Sequence, residues 1–168
     1  MTKRILVVGV GNVLRGDDGF GVEVARRLMA EPLPDGVVVV ETGIAGISLV
    51  HELQRGWDAL VVVDAVDRGR PPGTVLIIEP EVLDVGALSL SERHDQLADM
   101  HLATPDRALM LARALGVLPP RVVLVGCQLT DPHAVGEGLT PAVTAAVEVG
   151  VTEVHRQLAE LAVVPVRP

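Results

Sequence analysis

Aromatic side chains are almost missing from this sequence: among 168 residues there is one Phe (Phe20), one Trp (Trp57) and no Tyr. Nucleic acids are held by rings on which bases stack and by basic surfaces that neutralise phosphates. With so few rings and a formal net charge of −8, the chain offers neither, and no nucleic-acid partner is expected. The acidity is compatible with a partner that carries a basic or metal-bearing surface. A single cysteine, Cys127, cannot form an internal bridge. That fits a reducing cytoplasm and a small buried hydrophobe better than a reactive thiol. Hydrophobic residues make up 49% of the chain, yet no apolar run approaches the ~20 residues of a membrane helix, so no membrane association is expected. The opening MTKRILVVGVGNVL has the basic-then-apolar order of a signal peptide. Asn12 interrupts it and no small-x-small cleavage site follows, so a buried first strand explains it better. No repeat, low-complexity tract or linker divides the sequence, and its length suffices for one core without covalent staples. Residues 1–168 therefore read as one domain, expected to act as a cytoplasmic monomer.

What is present is a series of short apolar, β-branched runs: Arg4 to Val8, Val37 to Val40, Leu60 to Val63 and Val122 to Val125. Runs of this length and composition form strands buried on both faces, the signature of a parallel core. A fifth run, Thr74 to Ile78, follows the third across DAVDRGRPPG, which is too short and too rich in turn formers for a helical crossover. It is expected to return antiparallel beside Leu60 to Val63. Helical periodicity occupies Phe20 to Met29, Ile47 to Leu53, Pro105 to Leu115 and Pro141 to Leu161. Thr104-Pro105 and Thr140-Pro141 each put a capping hydroxyl before a proline at the first helical position, and Gly116 is a natural stop. These elements assemble as a three-layer α/β/α sandwich around a five-stranded, mostly parallel sheet with one antiparallel strand.

In such sheets ligands sit beyond the carboxyl ends of the strands, and acids collect there. Asp17 and Asp18 follow the first strand, Glu41 ends the second and Asp64 ends the third. Because the strand Thr74 to Ile78 and the helix from Pro105 both run down the sheet, the segment from Glu79 to Ala103 must climb back to the upper edge. His101 then arrives beside Asp18 and Asp64, with His94, earlier on the climb, as its rival. Asp17 and Asp18 could serve only the dipole of the helix they precede. An Asp closing an apolar strand is harder to explain so, because burial of an unpaired carboxylate is costly. Two carboxylates and one imidazole leave a fourth position open and suit a borderline metal such as nickel or zinc.

Competing motifs fail on their details. Gly9-Val10-Gly11-Asn12-Val13-Leu14 lacks the third glycine of the dinucleotide fingerprint, and two aspartates stand where pyrophosphate would approach the helix. His51-Glu52 opens like a zinc-protease HExxH but has Arg55 at the second histidine. No GxSxG elbow occurs. Glu41-Thr42-Gly43 resembles an aspartic-protease triplet with Glu for Asp and reads as a loop, while His51 and His155 read as surface residues. A resident-zinc hydrolase acting on a small substrate, and a non-catalytic metal- or nucleotide-binding module, stay open as alternatives.

The blocks GVGNVLRGDDGFGVEVARRL, LVVVDAVDRGRPPGTV, HLATPDRALMLARALG and VLVGCQLTDPHAVGEGLTPAV, taken together, resemble those of the hydrogenase maturation endopeptidases over nearly the whole chain. The resemblance implies an endopeptidase that removes the C-terminal extension of a nickel–iron hydrogenase large-subunit precursor after nickel insertion. It assigns Asp18, Asp64 and His101 as the metal-contacting and catalytic residues. It also assigns the loop Glu41, Thr42 and Gly43 to substrate choice, with Ile44 standing where the family has Thr. The distance from His101 to Gly116 matches the family's spacing better than that from His94. Nickel is then recognised in the precursor, and no tightly bound cofactor of the enzyme's own is expected.

Overall fold

In the computed structural model, which describes residues 2–44, 46–98 and 105–163 (the backbone alone at 96–98), the apolar run Ile5–Val10 forms β1 with every residue buried. The chain then makes a short 3-10 turn over Gly16–Gly19 and enters α1, Phe20–Met29. β2 spans Val37–Gly43, α2 Gly46–Leu53 and β3 Ala59–Val66. β4 is the short strand Val75–Ile78; α3, Leu90–Ala98, and α4, Pro105–Ala114, lead to β5, Arg121–Gln128, and α5, Pro141–Val163, completes the order.

The sheet order is β2-β1-β3-β5-β4, parallel throughout except for β4. Strand alternation divides its side chains between two cores. Val7, Val61, Val63 and Val125 face α1 and α5, where Phe20, Val24, Val147 and Val154 cover them. Leu6, Val8, Leu60 and Val62 face α2 and α4 and pack on Leu49, Leu53, Leu109 and Ala112. The expected three-layer sandwich with a mixed sheet is what forms.

One expectation about pairing is corrected. β4 is antiparallel, but it does not lie beside β3: Val75 pairs with Cys127 and Ile78 with Leu124 on β5. β5 takes the place beside β3, in register from Ala59 opposite Arg121 to Val66 opposite Gln128. Burial explains the order. β5 is apolar and largely enclosed, so it needs neighbours on both sides, whereas β4 has four residues, with Ile77 exposed, and tolerates the edge. The connection 67–74 has only to span two strand spacings, roughly 10 Å, which an extended chain of that length exceeds easily.

Helix ends follow local chemistry. After α4, Gly116 has φ 70°, its N–H bonds Arg113 O at 3.0 Å and Val117 N bonds Ala112 O at 2.9 Å. That is the double bond of a Schellman stop. α3 was not anticipated from periodicity, because LSERHDQLA is polar and Leu90 is 82% exposed. Its start is a capping box: Ser89 N donates to Glu92 Oε2 at 2.8 Å and Glu92 N to Ser89 Oγ at 3.3 Å. α5 does begin at Pro141, but the Thr140 hydroxyl is turned away from the helix, bonding Asp17 Oδ2 at 3.1 Å.

Candidate active site

Two glycines bring the first carboxylate to the second. Gly11 has φ 145°, and a Cβ there would lie 1.9 Å from the carbonyl oxygen of Asp18. Only a glycine lets the chain leaving β1 fold back against the turn carrying Asp18. At the start of α1, a Cβ on Gly21 would stand 2.1 Å from Val63 O and 2.4 Å from Val10 O. The helix is thereby seated directly on the ends of β1 and β3. This glycine pattern mimics a dinucleotide motif because both need close helix–sheet packing. Here the N–H of Asn12 donates to a carboxylate of the protein itself, Asp18 Oδ2, at 2.8 Å.

Asp64 lies on β3 two residues after Val62, hence on the face covered by α2 and α4. Burial pushes its carboxyl well above the usual carboxylate range; the negative charge of Asp18 adds to the rise, and that of Asp106 adds further, against the N–H of Ala65, which favours the anion. Asp18 and Asp64 therefore stand close enough to feel each other's charge, and the first turn of α4, where Asp106 sits, comes to the same place. A pair of like charges in a partly dry setting holds a proton, or exchanges it for a cation. Among the described residues, no group of three His, Cys, Asp or Glu side chains converges to hold a metal ion. His101 lies outside the described residues, as does the capping Thr104. The rival His94 is described, and sits exposed on α3.

Asp17, adjacent in sequence, does different work. It is 2% exposed and reaches across to the loop between β5 and α5. Oδ1 accepts from Thr140 N at 2.7 Å, and Oδ2 accepts from Thr130 N at 2.9 Å and from Thr140 Oγ1 at 3.1 Å. Burial alone would raise its carboxyl, but the hydrogen bonds from Thr140 and Thr130 outweigh it and hold the group below its ordinary range. Asp17 is thus a clamp behind Asp18 that is ionised at neutral pH. Its partners, Thr130 and Thr140, were not singled out by sequence reading, because they lie more than a hundred residues away in the chain.

The expected substrate loop is split by the structure. Glu41 and Thr42 line an open groove of about 580 Å³ beside Ile47 and His51, and Glu41 accepts from Arg26 Nε on α1 at 3.0 Å. Gly43 has φ 57° and takes a hydrogen bond on its carbonyl from Gly11 N at 3.1 Å, so it ties the end of β2 to the Asp18 loop. His155 pairs with Glu31 at 3.0 Å. Cys127 is fully buried, and burial, with the charge of Asp17 behind it, pushes its thiol up to about 11. A nucleophilic thiolate is not available at neutral pH.

Solved structures with this fold include peptidases. The hydrogenase maturating endopeptidase HybD from E. coli superposes with a TM-score of 0.69 at 33% identity, covering 94% of this chain and 93% of that one. The sequence model of the hydrogenase maturation protease family (HycI) matches residues 22–157. The hydrogenase 2 maturation protease of Escherichia coli (strain K12) is 35% identical over 164 residues, 94% of this chain and 92% of that protein. The hydrogenase expression/formation protein HupD of Rhodobacter capsulatus is 35% identical over 158 residues, 93% of this chain and 71% of HupD. The chain belongs to the hydrogenase maturation protease family, a family of peptidases.

Proposed function

We propose that this protein is the endopeptidase that removes the C-terminal extension from the large-subunit precursor of a nickel–iron hydrogenase once nickel is in place. The observation that carries the reading is the pairing of Asp18 with Asp64 at the carboxyl edge of the sheet, where burial and like charge leave the pair in want of a cation. His101, shortly before α4, supplies the third donor, since α4 begins beside Asp64. Nickel belongs to the substrate: already held by the precursor's own ligands, it meets Asp18, Asp64 and His101 and fixes the neighbouring peptide bond against them. Arrival of the cation displaces the proton that Asp64 otherwise retains, so the charge state of the pair and the presence of nickel are linked. Glu41, Thr42 and Gly43 flank the pair on the β2 side and contact the folded body of the precursor. No described helix is long and apolar enough to cross a membrane, and the enzyme is taken to act as a cytoplasmic monomer.

The test is incubation with a nickel-loaded large-subunit precursor, followed by mass measurement of the subunit. Loss of a C-terminal fragment with the wild-type chain, and none with Asp18→Asn or Asp64→Asn, is the expected result. An intact precursor after incubation with folded wild-type protein would contradict the reading.

A further inference from the structure

The connection between β3 and β4 carries two arginines whose side chains have no partner among the described residues. Arg68 and Arg70 are exposed, and among the described residues neither guanidinium has a hydrogen bond or an ion pair. Six other arginines of this acidic chain stand beside carboxylates: Arg26 by Glu41, Arg27 by Glu148, Arg55 by Glu52, Arg113 by Asp84, Arg121 by Glu79 and Arg156 by Glu153; the guanidinium groups of Arg4, Arg15 and Arg93 reach backbone carbonyls.

The backbone beneath the unpaired arginines is nevertheless held firmly. Gln128, 4% exposed at the end of β5, accepts on Oε1 from Arg68 N at 2.7 Å and from Arg70 N at 3.2 Å. Its Nε2 donates to Asp67 Oδ1 and to Leu129 O, each at 3.1 Å, and its own carbonyl accepts from Gly73 N at 2.9 Å. Every hydrogen-bonding atom of a buried amide is thus committed, most of them to fixing one short loop. What the loop displays is two exposed cations on a fixed backbone.

Position gives those cations a use. The sheet order sets the features of the carboxyl edge in a row: Glu41 on β2, the Asp18 turn after β1, Asp64 on β3, and the arginine loop over the end of β5. Arg68 follows Asp64 by four residues, so their Cα atoms are at most about 14 Å apart. An extended peptide cut at the aspartate pair meets the loop within about four residues. Around the cut, the carboxylates of Asp18 and Asp106, whose charge is felt at Asp64, repel an anionic peptide. Arg68 and Arg70 attract one.

Resting on the proposed processing activity, we infer that Arg68 and Arg70 bind a carboxylate on the C-terminal extension of the precursor, within about four residues of the cut bond. The loop thereby sets the direction in which the peptide crosses the site, with the extension leaving over β5 and the folded body on the β2 side. Guanidinium suits this role because its planar fork meets a carboxylate with two parallel hydrogen bonds. The pair is a binding and orienting device and takes no part in bond cleavage.

The experiment measures kcat and KM on nickel-loaded precursor for the wild-type chain and for Arg68→Gln/Arg70→Gln, whose exposed side chains leave the fold untouched. Two altered precursors are run alongside: one with the acidic residues of the extension changed to their amides, and one with four neutral residues appended to displace the terminal carboxylate. The double variant is expected to raise KM by roughly threefold to tenfold, as solvent-exposed ion pairs allow, with kcat little changed and the gap closing in high salt. One of the altered precursors should raise KM for the wild-type chain by a similar factor and leave the double variant indifferent. An unchanged KM in the double variant overturns the inference. So does a raised KM that neither altered precursor reproduces, since the carboxylate would then lie outside the extension. Failure of the wild-type chain to cut any precursor would instead strike the processing activity itself.

Discussion

Replacing Asp17 by Asn changes one atom and should loosen the frame that holds the active turn. The carboxylate receives three donors: Thr140 N on Oδ1 at 2.7 Å, and Thr130 N and Thr140 Oγ1 on Oδ2 at 2.9 and 3.1 Å. An amide has one acceptor oxygen. Whichever way it turns, its NH2 group confronts a backbone N–H, which is left without a partner at a cost of about 1–3 kcal/mol. The surviving bonds also lose the strength that ionisation lends them. Together the loss is about 2–4 kcal/mol, or roughly 4–16 °C in Tm for a domain of this size. Urea unfolding at pH 7, followed by circular dichroism, measures it as a fall in midpoint at unchanged slope. The pH dependence carries the sign. Because the folded carboxyl lies below its ordinary range, its stabilisation is complete above the pKa of the unfolded chain and disappears as pH falls through the folded value. The gap between wild type and variant should therefore narrow in acid. A difference below about 0.5 kcal/mol, less than a single net hydrogen bond, or a gap that widens in acid, would refute the clamp.

The other carboxylate should behave in the opposite sense. Asp64 is raised when folded, so at neutral pH it detracts from stability: Asp64→Asn is expected to raise Tm at pH 7 while abolishing processing, with the Tm difference vanishing below about pH 4, where the unfolded chain is protonated too. A lowered Tm at pH 7 would show that Asp64 is stabilised as the anion. His101→Ala is expected to eliminate precursor cleavage and His94→Ala to leave at least half of it, measured as initial rates on the same substrate; the reverse outcome would transfer the imidazole role to α3. Cys127→Ala should keep full activity, and iodoacetamide should label Cys127 only in the unfolded chain, whereas loss of activity in a folded variant would revive a thiol mechanism.

Much of this architecture is legible in the sequence because local rules and global packing agree. The shortness and β-branched content of the apolar runs that become β1, β3 and β5 mark them as buried strands, and Pro105 and Pro141 each stand at the first position of a helix. The placement of Asp18 and Asp64 on one edge follows from parallel topology alone. The partner of β4 was not legible, since the turn-rich connection shows only that the strand reverses, and the competition between β3 and β5 for interior places is settled by tertiary burial. The capping box of Ser89 and Glu92 was there to be read, but the low hydrophobicity of Leu90–Ala98 concealed the helix it opens. Asp17 and Gln128 could not be interpreted from spacing, because their partners, Thr130 and Thr140 for one and the backbone of Arg68 and Arg70 for the other, come from distant segments. Neighbouring aspartates with opposite roles look identical until the fold assigns their donors.

The most direct test of the central claim compares nickel-loaded and nickel-free forms of one large-subunit precursor at equal enzyme concentration, with and without chelator. On the proposed reading, Asp18 and Asp64 form too open a set to hold a metal alone, and the cation comes on the precursor's own ligands to bridge the two proteins. Cleavage of the loaded form only, with no rescue of the nickel-free form when nickel is added to the enzyme beforehand, is the expected result. Efficient cleavage of the nickel-free precursor in the presence of chelator would contradict it, and would leave the aspartate pair as the acid and base of an ordinary peptidase.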